Sequence, residues 1–280
     1  MRLADLHGGR TTPGEPVLTG RDRRLWQAWC AEALAWSRTL AHRARVESAQ
    51  RAVEEMHAGR PGAYVAWSGG KDSTAMTHLV RHTLGEARAM SVKDDLDFPG
   101  EEDYIGRLAR EWGVALDVVR PPVSLQAWLA EHADALDPRA DMHSRSAGLS
   151  AAFYGAVAEY AEAAGRPGVY LGLRQEESAG RRMNRASRGR VYRKADGDVV
   201  CTPLADWRGV DVYAYLLSRG IDLLPLYRCV GQHEHPSRVR KSWWVPGAAH
   251  DRGGARWLRT YYPSLWARLV ELVPAAAYYD

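Results

Sequence analysis

The stretch Ala63-Tyr64-Val65-Ala66-Trp67-Ser68-Gly69-Gly70-Lys71-Asp72-Ser73 governs how the rest of the chain is read. Ala63 to Trp67 is a short apolar run, the pattern of a parallel strand buried on both faces. Thr74 to Leu84 reads as a helix. The loop between them has the parts of a phosphate cradle. Gly69 and Gly70 permit backbone conformations closed to other residues and let main-chain N–H groups approach an anion. The helix start supplies orphan donors and the positive end of a dipole, and anions bind there readily. Ser68 and Ser73 add hydroxyl groups, Lys71 a positive charge, and Asp72 a carboxylate that either helps place Mg²⁺ or caps the helix. The Gly-x4-Gly-Lys-[Ser/Thr] spacing of the Walker loop is absent. By spacing alone, a plain strand–helix turn with a capping Ser is the competing reading.

Strand and helix signals alternate outward from this loop. Ala87–Lys93, Val114–Val119 and Gly168–Leu173 read as strands. Glu101–Trp112, Leu125–Leu136 and Ala147–Ala164 read as helices. The alternation predicts an α/β fold: a doubly wound, mostly parallel, Rossmann-like sheet that binds ligands beyond the carboxyl ends of its strands. Residues 22–57 read as one or two helices, with Leu25, Trp29, Ala33, Trp36, Leu40 and Ala44 at helical spacing. Past Arg174 the pattern turns irregular and basic. Val191–Ala195 and Val199–Pro203 form a hairpin about Asp196-Gly197-Asp198, Val210–Ser218 a short helix, and Arg256–Leu272 a terminal helix interrupted at Pro263. The expected organisation is a flexible leader over 1–20, a helical segment over 21–60, a nucleotide-binding α/β domain over 61–228, and a C-terminal loop and helix extension over 229–280.

The 280 residues suffice for one large core without disulfides or metals. A net charge of +4 is mild, so the distribution of charge matters more than its sum. Cys30, Cys201 and Cys229 lie far apart with no Cys-x-x-Cys, which points to a reducing compartment rather than a disulfide framework. The polar N-terminus lacks a signal-peptide core, and no apolar stretch is long enough for a bilayer. The expected location is the cytoplasm, with no membrane partner.

As a complete Ser-Gly-Gly-Lys-Asp-Ser after an apolar strand, the loop resembles the pyrophosphate loop of the N-type ATP pyrophosphatases. Further ordered segments resemble the PAPS-reductase-like branch of these adenine nucleotide α-hydrolases, over roughly residues 60–246. Asp94 to Glu102, with Phe98-Pro99, is similar to the segment after the family's second strand. Gly172-Leu173-Arg174-Gln175-Glu176-Glu177-Ser178, followed by Arg181 and Arg182, is similar to its Gly-x-Arg-x-x-Glu-Ser-x-x-Arg element. Pro203-Leu204 to Trp207 with Asp211-Val212-Tyr213, then Pro225-Leu226-Tyr227, resemble its later motifs. The resemblance implies phosphates on Ser68, Gly69, Gly70, Lys71, Asp72 and Ser73. It implies that Arg174 neutralises phosphate oxygens, that Asp95 contacts ribose or metal, and that Glu177, Ser178 and Arg182 help hold nucleotide. Lys71, Asp72 and Arg174 are the expected catalytic residues. ATP with Mg²⁺ is the expected cofactor pair, the metal carried by the triphosphate.

The intact loop favours cleavage of ATP between the α and β phosphates, with adenylation of an acceptor in sulfur metabolism or in sulfur modification of nucleic acid. A PAPS-reducing sulfonucleotide reductase and a non-catalytic nucleotide-binding subunit are the alternatives. Against the reductase, no Cys follows Cys229, where the family's reductases carry a C-terminal nucleophile. Ser242 and Val245 stand where relatives place cluster or zinc cysteines, so no iron–sulfur cluster is expected. Cys229, His233 and His235 have zinc-like spacing but no evident fourth ligand. Cys201 or Cys229 is a candidate persulfide carrier for a sulfur-donor protein. Arg181, Arg182, Arg185, Arg188, Arg190, Arg193 and Lys194, uninterrupted by acid, form either a nucleic-acid surface or a lid over ATP; Arg238, Arg240 and Lys241 add cations, and Trp207, Trp243 and Trp244 offer rings for stacking.

Overall fold

The computed structural model describes residues 15–95, 97–132, 137, 147–231, 236–239, 241 and 253–279, with backbone alone at 147–153 and 238. His233, His235, Arg240, Ser242, Trp243, Trp244 and Val245 lie outside the described residues, as does the expected leader through residue 14.

The expected strands pair as β1 (Tyr64–Ala66), β2 (Arg88–Val92), β3 (Ala115–Val119), β4 (Val169–Tyr170), β5 (Val191–Arg193) and β6 (Val199–Cys201). They form one sheet in the order β3-β2-β1-β4-β6-β5, parallel except for the β5–β6 hairpin. The chain builds outward from β1 through β2 to β3, then returns to lay β4 on the other side of β1. Strand order therefore reverses at β1 and β4, where such sheets open a crevice. Between the strands run α3 (Lys71–Leu84), α4 (Glu101–Trp112), α5 (Leu125–Glu131) and α6 (Ala147–Ala163). Helix α3 starts three residues before the expected Thr74, so Lys71, Asp72 and Ser73 form its first turn.

The N-terminal segment is two helices, α1 (Gly20–Ser37) and α2 (Leu40–Gly59), each begun by a threonine whose side chain caps it. The break at Arg38 and Thr39 resets the helical phase, so the single stripe expected through Leu25 and Leu40 does not form. Leu40 is 80% exposed, while Trp26, Trp29, Ala33, Ala49, Ala52, Val53 and Met56 enter the core. That core is continuous with the residues packed on the sheet.

The segment past Arg174 is more regular than expected. Ser178 caps α7 (Ala179–Arg188), a helix with no buried residue. Its one large apolar side chain, Met183, is 72% exposed, so no apolar stripe announces the helix in sequence. Helix α8 (Gly209–Ser218) is almost wholly buried and receives α1 along its length. Pro263 starts α10 (Pro263–Leu272) just after α9 (Gly254–Tyr261), as proline does at a first helical position.

Two buried carboxylates fasten the N-terminal helices to the rest of the chain. Asp22 accepts from Gly231 N at 2.6 Å and Tyr261 Oη at 2.7 Å, and Val17 N donates to Tyr261 O at 2.9 Å. Residues 17–20 are thus tied down, unlike the free leader expected there. Asp211, on α8, accepts from Trp36 Nε1 at 2.6 Å and lies 3.4 Å from His42 Nδ1 and 3.6 Å from Arg45 Nη1. Burial raises the Asp211 carboxyl, but the His42 and Trp36 hydrogen bonds and the Arg45 charge hold it below the usual carboxylate range. A carboxyl depressed in the folded state stabilises above the unfolded value and loses that contribution as pH falls through the folded one. Asp211→Asn is therefore expected to lose about 3 kcal/mol at neutral pH. The resistance of wild type to urea should fall as pH drops below about 4, and the variant should show less of that loss.

Candidate active site at the carboxyl ends of β1 and β4

The strand β1 delivers Ser68 to Ser73 into the crevice beside β4. Gly69 sits at φ 74°, a left-handed conformation that favours glycine, and a Cβ there would lie 2.9 Å from Ile105 Cδ1. Ser73 Oγ closes the loop: it accepts from Ser68 N at 3.2 Å and donates to Gly70 O at 3.0 Å, with Ser68 Oγ 3.1 Å away. The amides of Gly69, Gly70, Asp72 and Ser73 have no acceptor among the described residues. They form, at the start of α3, the donor set that an anion would use.

Lys71 turns inward and is 2% exposed. Its N donates to Tyr227 Oη at 2.8 Å, its Nζ pairs with Asp72 Oδ2 at 2.9 Å, and Nζ lies 5.4 Å from the Tyr227 ring centroid. Asp72 also accepts from Arg174 Nε at 2.6 Å. It caps nothing; it joins two cations. Burial pushes the Asp72 carboxyl up, and Lys71 and Arg174 more than offset this, leaving it below the ordinary range.

Arg174 reaches Asp72 because Leu171-Gly172-Leu173 carries the end of β4 onto the first turn of α3. A Cβ on Gly172 would lie 3.0 Å from Asp72 C and Ser73 N, both backbone atoms. The guanidinium is 2% exposed and turns its remaining donors to Glu176 and to Glu177, whose Oε1 is 3.6 Å from Nη2. Glu176 also accepts from Gly209 N at 2.7 Å, and Glu177 pairs with Arg181. The Arg174 guanidinium thus faces carboxylates in this structure, and an ion-pair chain runs Lys71–Asp72–Arg174–Glu177–Arg181 from the loop to α7.

Three other expected binding residues lie elsewhere. Asp95 is exposed and accepts from Gln126 N at 3.2 Å, while Asp94 accepts from Leu125 N at 2.9 Å, so both hold the start of α5. Burial and the neighbouring Asp95 push Asp94 up to about 6. Ser178 is the cap of α7, and Arg182 is exposed on that helix. The basic run is also less open than its sequence suggests, because its acids come from outside it. Asp206 takes Arg185 and Arg190 together, and Asp196 and Asp198 take Lys194. Trp207 is 1% exposed and is core, not a stacking platform.

Sequence reasoning missed a second cluster beside the loop. Lys93 and Glu101 are buried and paired; Lys241 pairs with Glu101 and donates to Ser68 O at 2.7 Å; Asp97 lies 3.6 Å from Lys93 Nζ and 3.8 Å from Lys241 Nζ. Glu101 follows Phe98-Pro99 in a quoted motif, yet nothing local says that its carboxylate meets Lys241 from 140 residues away. Tyr227 closes another quoted motif, and its contact with the Lys71 amide was equally hidden.

The thiols do not suit a persulfide carrier. Cys201 and Cys229 are fully buried, and burial pushes both well above the usual thiol range; Cys30 is pushed up to about 11. Iodoacetamide should leave Cys201 and Cys229 unmodified in native protein and label them fully in urea. Rapid native labelling of either would restore the carrier role. Gly172→Ala should cost about 1–3 kcal/mol through overpacking and weaken nucleotide binding. Gly180→Ala, where a Cβ meets nothing within 4 Å, is the control, read by thermal melting and calorimetric titration.

Two curated relatives, sulfate adenylyltransferase subunit 2 of Shewanella pealeana and of Shewanella halifaxensis, are each 24% identical over 207 residues, 68% of this chain and 68% of theirs. Among solved structures, the PAPS reductase of Candida auris aligns with a TM-score of 0.49 at 15% identity, covering 63% of this chain and 81% of that one. The ATP complex of Candida glabrata FMN adenylyltransferase aligns at 0.48 and 12%, covering 71% and 66%. Residues 62–230, more than half of the chain and the span holding β1 through Tyr227, match the phosphoadenosine phosphosulfate reductase domain. The chain belongs to that family.

Proposed function

We propose that the chain binds ATP with Mg²⁺ on the Ser68–Ser73 loop and cleaves it between the α and β phosphates. An acceptor oxygen attacks the α phosphorus, the α–β bridging P–O bond breaks, and pyrophosphate leaves with that electron pair. The observation that carries this reading is the set of amides of Gly69, Gly70, Asp72 and Ser73, which have no acceptor among the described residues and stand at the sheet's switch point. Backbone donors fixed before the ligand arrives can hold the charge that develops on pyrophosphate without reorganising.

The charges nearby have a specific consequence. Lys71 and Arg174 are each matched by a carboxylate, as are Lys93 and Lys241. The net pull on a triphosphate therefore comes first from the amides and the helix dipole. Lys71 becomes available once a phosphate competes with Asp72 for it. Asp72, Asp97 and Glu101 all have cation partners, and among the described residues no cluster of His, Cys, Asp or Glu could hold a metal. On this reading Mg²⁺ arrives on the triphosphate.

The relatives named as a sulfate adenylyltransferase subunit support adenylyl transfer to an oxyanion in sulfur metabolism, with a partner subunit. Three unbridged cysteines support a reducing, cytoplasmic setting, and among the described residues no helix is long and apolar enough to cross a membrane. A sulfur-donor protein, if one acts here, would have to deliver sulfur without Cys201 or Cys229. Purified protein with Mg²⁺ and ATP, alone and with sulfate, DNA or tRNA, should yield AMP or an adenylylated acceptor plus pyrophosphate. Lys71→Ala should reduce that yield by about a hundredfold or more. No pyrophosphate under any condition, with sulfite released from PAPS and a thiol, would reverse the reading in favour of a reductase.

A further inference from the structure

A groove of about 480 Å³, lined by no residue of the Ser68–Ser73 loop, lies between α2, α7 and β5. Ser48, Arg51, Ala52 and Glu55 form one wall; Arg185, Gly189, Arg190 and Val191 form the other. Three of these are arginines, and Glu55 is the acid among them. We propose that this groove is a second anion site, separate from the loop, that takes a phosphate ester.

The arginines are pre-set. Asp206 accepts from Arg185 Nε at 3.0 Å and Nη2 at 2.9 Å, and from Arg190 Nε at 3.1 Å; Arg190 Nη1 donates to Ser48 O at 2.5 Å. These bonds lock the two guanidinium planes, so an arriving anion need not order them. Arg185 Nη1 has no partner among the described residues, and neither has exposed Arg51. Three arginines, Arg51, Arg185 and Arg190, face two carboxylates, Asp206 and Glu55, which leaves one positive charge over in the groove. Exposed Arg182 and Arg188 on α7 add to the field. Guanidinium forks match phosphate oxygens better than a point charge does. Ala52 and Val191 supply apolar surface, and the volume suits a sugar or nucleoside attached to the phosphate. Arg185 also lines a smaller cleft, about 100 Å³, that reaches Arg174. A ligand in the groove would thus lie beside the ion-pair chain leading to the loop.

A free phosphate monoester and a nucleic-acid backbone share this chemistry, so the test uses both. Full-length protein is titrated with ribose 5-phosphate by calorimetry and with a single-stranded oligonucleotide by fluorescence anisotropy. The variants are Arg51→Glu, Arg51→Gln and Lys71→Ala, with circular dichroism to verify folding. At least one probe should bind wild type and weaken about tenfold or more in Arg51→Glu, less in Arg51→Gln, and not in Lys71→Ala. The probe that binds identifies the source of the phosphate. Failure of both probes, an unchanged Arg51→Glu, or equal loss in Lys71→Ala would overturn the proposal. The last result would place the anion on the loop. The outcome is independent of whether the loop cleaves ATP, since no turnover is read.

Discussion

The pairing of Arg174 with Asp72 joins the two halves of the site. It spans from the end of β4 to the first turn of α3, across the point where strand order reverses. Without it, the loop and the Arg174 segment would meet only through packing, since β1 and β4 share a short register. Gly172 makes the approach possible, because its missing side chain lets one backbone lie on another. Tyr227 secures the opposite side by receiving the Lys71 amide. The loop is thus held by a strand end, a helix start and a distant 3₁₀ turn, none of which contributes mobile side chains to the row of amides.

Charge around this centre is arranged in matched pairs rather than as a positive bowl. Buried ions are tolerated only when paired, since desolvation would otherwise dominate. Lys71, Arg174 and Lys93 each follow that rule, and the half-buried Lys241 is paired as well. An anion entering the loop would therefore have to compete with the carboxylates that already hold these cations. The energetic change is smaller than bare charges would give, and the competition is local to the loop. The same economy of pairing holds the periphery together. Asp22 fastens the first helix to the C-terminal part of the chain, and Asp211 fastens the first two helices to α8.

Much of the fold was legible because it depends on local rules. An apolar run followed by glycines and a helical pattern can form little other than a strand, a turn and a helix, and repetition of that unit requires a parallel sheet. The bounds of α4 and the hairpin about Gly197 follow from helical period and turn chemistry. Legibility failed where a residue's partner is remote. The basic run looked like an open surface because Asp206 lies outside it. Helix α7 was invisible because it buries nothing. The stripe through Leu25 and Leu40 misled because a cap at Thr39 resets the phase.

By itself, then, the sequence determined the strand–loop–helix unit, the mostly parallel character of the sheet, the family and the position of the glycine loop at a strand end. All of these rest on backbone geometry and on spacings of a few residues. Tertiary structure alone decided what the charged side chains do, that Arg174 binds Asp72, that Asp95 holds a helix start and that Lys241 meets Glu101, and it alone sealed Cys201 and Cys229. Long side chains on a folded core take whichever opposite charge the topology brings within reach, and distance along the chain carries no record of that choice.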